Sequence, residues 1–179
     1  MTLKPSDFGG LYFLRVVVVG ANGAGKTWFA RDLAARMRIP VVTKDAIALT
    51  TGWQQRPRAQ VQTALADAIK AEAWVLEGGP SILSPVVLDR ADLVIWLDLP
   101  ASVRFWRIVR RSLRYLGRTR PEHPPGNRDW PGRRQFGFAW RALVGGDQFV
   151  RAINGALAGS AVPLVRLRTP AEAAAFLKG

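Results

Sequence analysis

Two kinds of segment alternate along this chain. Short apolar runs, Tyr12–Val19, Val41–Thr43, Trp74-Val75-Leu76, Leu93–Leu97 and Val162–Leu167, have the length and β-branched content of buried strands. Between them lie longer segments with helical spacing, from Lys26 to about Met37 and from Arg58 to Glu72, the latter with Val61, Leu65, Ala68 and Ile69 on one face. Further helices are expected from Ala101 to about Leu116, from Arg133 to about Leu157 with a break at Gly145-Gly146, and over Pro170–Leu177. Gly117 to Gly132 is rich in Gly, Pro and Arg without a period, and is expected to be a loop. Strand–helix alternation of this kind predicts an α/β fold around a mostly parallel sheet, with residues 1–179 forming one domain.

Composition narrows the class. Nearly half the residues are apolar (49%), enough for a globular core, and no run approaches the ~18 apolar residues of a membrane span. There is no cysteine, and the lone His123 lies in a Pro-rich stretch, which argues against disulfides, a Cys- or His-based metal cluster and a Ser-His-Asp triad. A cytoplasmic protein, monomer or homodimer, with no membrane partner is the expectation. The net charge is +13, and of 21 arginines 11 fall between Arg104 and Arg141, opposed only by Glu122 and Asp129. Positive charge is thus a property of one region, and arginine forks suit phosphates.

The first strand runs into Gly20-Ala21-Asn22-Gly23-Ala24-Gly25-Lys26-Thr27, a complete G-x-x-x-x-G-K-[ST] Walker A pattern placed between strand and helix. Glycines there let backbone N–H groups close around phosphate oxygens, and the helix start adds unpaired N–H groups and its positive dipole end. Lys26 is expected on the phosphates and Thr27 on Mg²⁺. A nucleoside triphosphate, ATP with Mg²⁺, is the expected cofactor.

Three further strand ends carry carboxylates: Asp45, Glu77 and Asp98. In such sheets ligands bind beyond the carboxyl ends of the strands. Glu77 and Asp98 compete for the place of the acid near the metal, Asp98 having a helix-capping role as its alternative. Asp45 could take the proton of an acceptor hydroxyl or cap a helix. Arg107 and Arg111 lie one turn apart, with Arg104 and Arg114 extending the stripe, and Arg118 and Arg120 open the following loop. No acid falls between Arg104 and Arg120, which predicts an anion-binding helix and loop over the triphosphate. Trp28, Trp74, Trp96 and Trp106 are expected in the core, Trp53 in an acceptor pocket. Arg168-Thr169-Pro170 is expected to pack against the adenine.

These residues together resemble a known family. Asp45-Ala46, Gly52-Trp53, Arg58, Trp74-Val75-Leu76-Glu77-Gly78, Ala91-Asp92 and Trp96-Leu97-Asp98-Leu99-Pro100 are similar to the DNA topology modulation proteins, small adenylate-kinase-like P-loop proteins. Arg107, Arg110-Arg111, Gly117 to Glu122, and Phe138 with Trp140 continue the resemblance from about residue 14 onward. It implies a three-layer P-loop sandwich with a five-stranded parallel sheet, similar to nucleoside monophosphate kinases, with a short basic lid at about 117–132. It also implies Glu77 near Mg²⁺, Arg107 and Arg111 on the base and phosphates of ATP, and Arg118 and Arg120 as lid arginines. The chain departs from that family where Glu77-Gly78-Gly79-Pro80-Ser81 stands for an Asp followed by Gly-Asn-Tyr-Ser, and where Ile47-Ala48-Leu49 stands for bulky aromatics, both where an acceptor would sit.

The resulting expectation is an ATP-dependent kinase whose small-molecule or nucleotide acceptor lies among Asp45, Trp53, Arg58 and Ser81. The other expectation is a nucleic-acid-binding P-loop ATPase that grips DNA or RNA non-specifically through its arginine-rich segment.

Overall fold

The computed structural model describes residues 2–3, 13–117, 119, 127, 137, 140, 144 and 146–178. In chain order the elements are β1 (Thr2–Leu3), β2 (Arg15–Gly20), α1 (Lys26–Met37), β3 (Val41–Thr43), α2 (Lys44–Ala48), α3 (Arg58–Ala68), β4 (Trp74–Gly78), α4 (Pro85–Leu88), β5 (Leu93–Leu97), α5 (Ala101–Arg114), α6 (Gly146–Leu157), β6 (Leu164–Leu167) and α7 (Pro170–Lys178). Single 3₁₀ turns occur at Thr51–Trp53 and Pro80–Ile82. The sheet order is β1-β6-β5-β2-β4-β3 and every pair is parallel. Five of these strands are those the apolar runs predict. The sixth, β1, adds two residues at the edge and is too short to carry a hydrophobic pattern. Most of the expected loop at 117–132 lies outside the described residues, as does much of the helix expected from Arg133, of which Gly137, Trp140 and Val144 are helical.

Valine-rich strands buried on both faces are what a parallel sheet covered by helices requires. Val16, Val18, Val75, Ile95, Leu97, Val165 and Leu167 point to one side, where Phe29, Ala30, Leu33 and Ala34 of α1 and Leu177 of α7 cover them. Val17, Val19, Trp74, Leu76, Val94 and Trp96 point to the other, against Leu65, Ile69, Val87, Leu88 and Ile153. Burying Phe29 and Leu33 contributes on the order of 2–3 kcal/mol each to holding α1 on the sheet. The helix ends at Arg38, in the left-handed conformation (φ 57°), whose N–H bonds back to α1 carbonyls before Pro40 stops the chain. No helix among the described residues is long and apolar enough to cross a membrane.

The tryptophan expectation divides. Trp74 and Trp96 are fully buried, but Trp28 is 67% and Trp106 68% exposed. Phe29 and Ala30 take the inward face of α1, and Arg104 and Ile108 that of α5, so both tryptophans are turned to solvent.

At the amino end of the sheet Asp92 ties β5 to β2. Its Oδ2 accepts the main-chain N–H of Leu14 (3.1 Å) and Arg15 (2.9 Å), and Oδ1 accepts the Arg15 guanidinium at 2.6 Å. Burial alone would raise this carboxyl, but the hydrogen bonds from Arg15 and Leu14 bring it below its ordinary 3.8. A depressed carboxyl stabilises the fold above its unfolded value, and that stabilisation is lost as pH falls through the folded value. Asp92→Ala is expected to cost about 1–2 kcal/mol at pH 7, the half-exposed setting screening the ion pair. The difference from wild type should shrink between pH 4 and pH 2, as measured by urea unfolding. Equal stability at pH 7 would rule out this tie.

Candidate active site

The loop between β2 and α1 is shaped by two left-handed glycines, Gly23 (φ 82°) and Gly25 (φ 89°). A Cβ on Gly23 would run into the main-chain carbonyl of Arg104, so the loop lies directly against α5. Gly25 precedes α1 without any side-chain cap, which leaves the helix's first N–H groups available to a ligand. Lys26 arches back over the loop, its Nζ donating to the Ala21 carbonyl at 3.1 Å. Burial pushes its ammonium below the ordinary value, Glu77 and Asp45 oppose that shift, and Arg111 and Arg104 add to it.

Beside Lys26 the Thr27 hydroxyl donates to Glu77 Oε1 at 3.2 Å. Glu77 is 4% exposed, and burial lifts its carboxyl above the ordinary range. Lys26 opposes the shift, Asp45 adds to it, and hydroxyl bonds from Thr27 and Thr43 again oppose it. Thr43 was not anticipated. It ends β3 directly opposite Glu77 in the register, a pairing visible only once the strand order is known.

Strand alternation separates the two competing acids. Val75 faces α1, so Glu77, two residues on, faces the loop and α1 as well. Val94 and Trp96 face the opposite layer, and Asp98 continues on their side. There its Oδ2 accepts the Arg166 Nε at 2.9 Å and NH2 at 2.5 Å, and the Arg166 guanidinium lies 4.2 Å from the Trp96 ring centroid. Asp98 is therefore engaged with Arg166 on the face away from Thr27.

The basic helix also divides by face. The Arg107 NH1 donates to the Ala24 carbonyl at 2.9 Å and so lies on the loop itself. Arg111 is close enough to Lys26 to disfavour its charge. Arg104, expected on the same stripe, is instead 6% exposed and donates Nε to the Leu99 carbonyl at 3.1 Å, a packing role. Arg118 and Arg120 lie outside the described residues. Arg168 is exposed at the end of β6, its N–H bonded to Glu172 Oε2 while the Glu172 N–H bonds the Thr169 hydroxyl, an N-terminal cap for α7.

On the other side of Lys26, Asp45 sits exposed in the first turn of α2 with no side-chain capping bond, near enough to act on both Lys26 and Glu77. Trp53 is partly buried, with its N–H bonded to Asn127. Arg58 and Ser81 are exposed at the start of α3 and in the turn after β4. Among the described residues no hydrogen bond or ion pair joins either of them to Asp45. Asn127 carried no local signal in its Pro-rich surroundings.

No protein-family model and no curated protein matches the chain. Solved structures do. The chain is similar to the shikimate kinase from Acinetobacter baumannii in complex with shikimate, at 18% identity and a TM-score of 0.55, over 97% of this chain and 93% of that one. It is similar to the shikimate kinase from Bacteroides thetaiotaomicron at 14% identity and 0.53, over 93% and 96%. The Aquifex aeolicus shikimate kinase matches at 13% identity and 0.52, over 92% of each chain. At these identities the likeness is one of fold, and the chain has the small P-loop kinase fold.

The loop's close packing gives a direct check. Gly23→Ala is expected to lower stability by about 2 kcal/mol or more, because the strained φ and the Arg104 carbonyl both oppose a side chain. Gly79→Ala, with open space around the added carbon and φ −86°, should be within about 0.5 kcal/mol of wild type. Thermal unfolding of the pair tests this, and similar losses for both would contradict it.

Proposed function

We propose that this protein is an ATP-dependent phosphotransferase acting on a small hydroxyl compound. The observation that carries the reading is the contact of Thr27 with buried Glu77 at the root of a glycine loop that Arg107 touches. The P-loop kinase fold and the adenylate-kinase-like motifs support it.

In this reading the ATP phosphates lie on Gly20 to Thr27, with Lys26 and the free N–H groups of α1 as their donors. Thr27 and Glu77 present an all-oxygen pair of the kind a hard divalent cation takes, and they fit Mg²⁺. When bound, Mg²⁺ would supply charge neutralisation to the phosphates. Asp98, held by Arg166, is left out of that pair. Arg107 and Arg111 flank the phosphates, Arg168 the base, and Arg118 and Arg120 add charge from the following segment.

The acceptor lies among Asp45, Trp53, Arg58 and Ser81. Its hydroxyl oxygen attacks the γ-phosphorus, the bond to the bridging oxygen breaks, ADP leaves, and the hydroxyl proton passes to the Asp45 carboxylate. Positioning and charge stabilisation then suffice without a covalent nucleophile. Shikimate, carried by the Acinetobacter structure, belongs on an acceptor panel with nucleosides and nucleoside monophosphates. The chemistry is best placed in the cytoplasm, where Mg·ATP is abundant.

One observation favours the nucleic-acid reading suggested by the resemblance to DNA topology modulation proteins. The outer face of α5 exposes Trp106 and Leu113 beside Arg110 and Arg114 and carries no acid. Salt dependence separates the two readings, since DNA-stimulated turnover should fall steeply with added salt and small-acceptor turnover much less.

The test is ADP release from Mg·ATP with each panel compound and with short DNA. Stimulation by one small compound, with its phosphorylated product detected, is the expected outcome. Lys26→Ala and Glu77→Gln should each lower turnover on the order of 10²–10³-fold while thermal unfolding remains cooperative. Stimulation by DNA alone without a phosphorylated product, or unchanged turnover in Lys26→Ala, would overturn the proposal.

A further inference from the structure

The turn that carries Trp53 is bonded by a side chain from far along the chain. Leu49 and Gln55 form an antiparallel bridge, the Thr50 N–H donates to the Gln54 carbonyl at 2.8 Å, and the Arg56 N–H to the Ala48 carbonyl at 2.8 Å. Residues 48–56 are thus a tight hairpin. At its tip Gly52 (φ 73°) and Trp53 (φ 61°) are both left-handed. That conformation costs a glycine nothing but a bulky side chain on the order of 1–2 kcal/mol, so something must hold Trp53 there.

Asn127 does so from both ends of its carboxamide. Oδ1 accepts the Trp53 N–H at 2.7 Å and Nδ2 donates to the Thr50 carbonyl at 3.0 Å. Its side chain is fully buried. A carboxamide offers one donor and one acceptor side by side, as a peptide group does, and here both are used on the turn. Asn127, Glu77 and Arg104 are the buried polar or charged residues among those described, and Asn127 alone of the three lies on the acceptor side.

We propose that Asn127 is a positioning residue for the acceptor half of the site, clasping Thr50 and Trp53 so that Trp53 is fixed as a wall of the acceptor pocket. This rests on the phosphotransferase reading, in which Trp53 lines that pocket. Asn127 touches no reacting group. It acts through Trp53. The nucleotide half, built from Lys26, Thr27, Glu77 and Arg107, is held by its own contacts.

Hydrogen exchange and kinetics test this together. In wild type the Trp53 amide, although at the tip of an exposed turn, should exchange at least about tenfold slower than an unprotected amide. Asn127→Ala should remove that protection. Asn127→Asp, which keeps the acceptor oxygen, should retain much of it, a distinction that a loss of general packing would not produce. Mg·ADP affinity should stay within about twofold of wild type in both variants, and the KM of the panel compound that stimulates ADP release should rise about tenfold in Asn127→Ala with the KM for ATP unchanged. A rapidly exchanging Trp53 amide in wild type, or an unchanged acceptor KM in Asn127→Ala, would overturn the proposal. If no panel compound stimulates release, the phosphotransferase reading fails and the exchange data alone decide the clasp. If Asn127→Ala does not fold, the wild-type and Asn127→Asp exchange rates decide it.

Discussion

Glu77 is buried to 4% exposure at the end of β4, and the site is organised around keeping that carboxylate dry beside a half-buried Lys26. Removing such a carboxylate from water costs several kcal/mol, and attraction to a neighbouring opposite charge offsets it only when the remaining lone pairs and protons find partners. Here the partners are hydroxyls and a carbonyl. Thr27 bonds Glu77, Thr43 reaches it from the neighbouring strand, and Lys26 bonds Ala21. Burial still drives the two groups toward their neutral forms. Ligands that bring both signs of charge relieve the arrangement, an anion for Lys26 and a cation for the Glu77–Thr27 pair. On the proposed reading, Mg·ATP satisfies both demands at once.

The strand order makes this possible. β2 lies between β4 and β5, so the glycine loop emerges beside Glu77 on one flank and Asp98 on the other. Alternation then turns the two acids to opposite layers. Glu77 meets the loop and α1, whereas Asp98 meets Arg166 above Trp96. One carboxylate faces the glycine loop, and the other closes a packing contact between β5 and β6. Arg104 makes the same division within α5, its guanidinium spent on the Leu99 carbonyl while Arg107, one turn on, reaches the glycine loop at Ala24.

The parts legible in the sequence were those encoded by neighbours in the chain. The five principal strands follow from contiguous apolar runs, and the loop from fixed glycine, lysine and threonine spacing. What the sequence hid depends on which way a residue faces once elements pack. Trp28 and Trp106 look like core by hydrophobicity, yet helix phase turns them outward because Phe29 and Ile108 already fill the inner positions. Glu77 and Asp98 look equivalent as acids at strand ends, and only their alternation against Val75 and Trp96 tells them apart. Arg104 looks like one more phosphate ligand until its burial is seen. β1, with two residues, has no pattern to find.

On the proposed reading, the two halves of the site differ in how they are specified. The phosphate half is local, because a phosphate is recognised by consecutive backbone N–H groups that one loop can supply. The proposed acceptor half is assembled from α2, the 48–56 hairpin and a residue 74 positions beyond Trp53. Such a half can be rebuilt by changing a few separated residues without disturbing the loop that binds phosphate. The sequence motifs differ there from those of the DNA topology modulation proteins, at Ile47-Ala48-Leu49 and within Glu77-Gly78-Gly79-Pro80-Ser81. Ala48 and Leu49 lead into the hairpin that Asn127 clasps, and Gly79 follows the buried Glu77-Gly78 end of β4. On that reading, changes in acceptor chemistry are expected to appear as coupled changes at Ile47 to Leu49, at Gly79-Pro80 and at Asn127, while the Gly20 to Thr27 pattern and an acid at position 77 are retained.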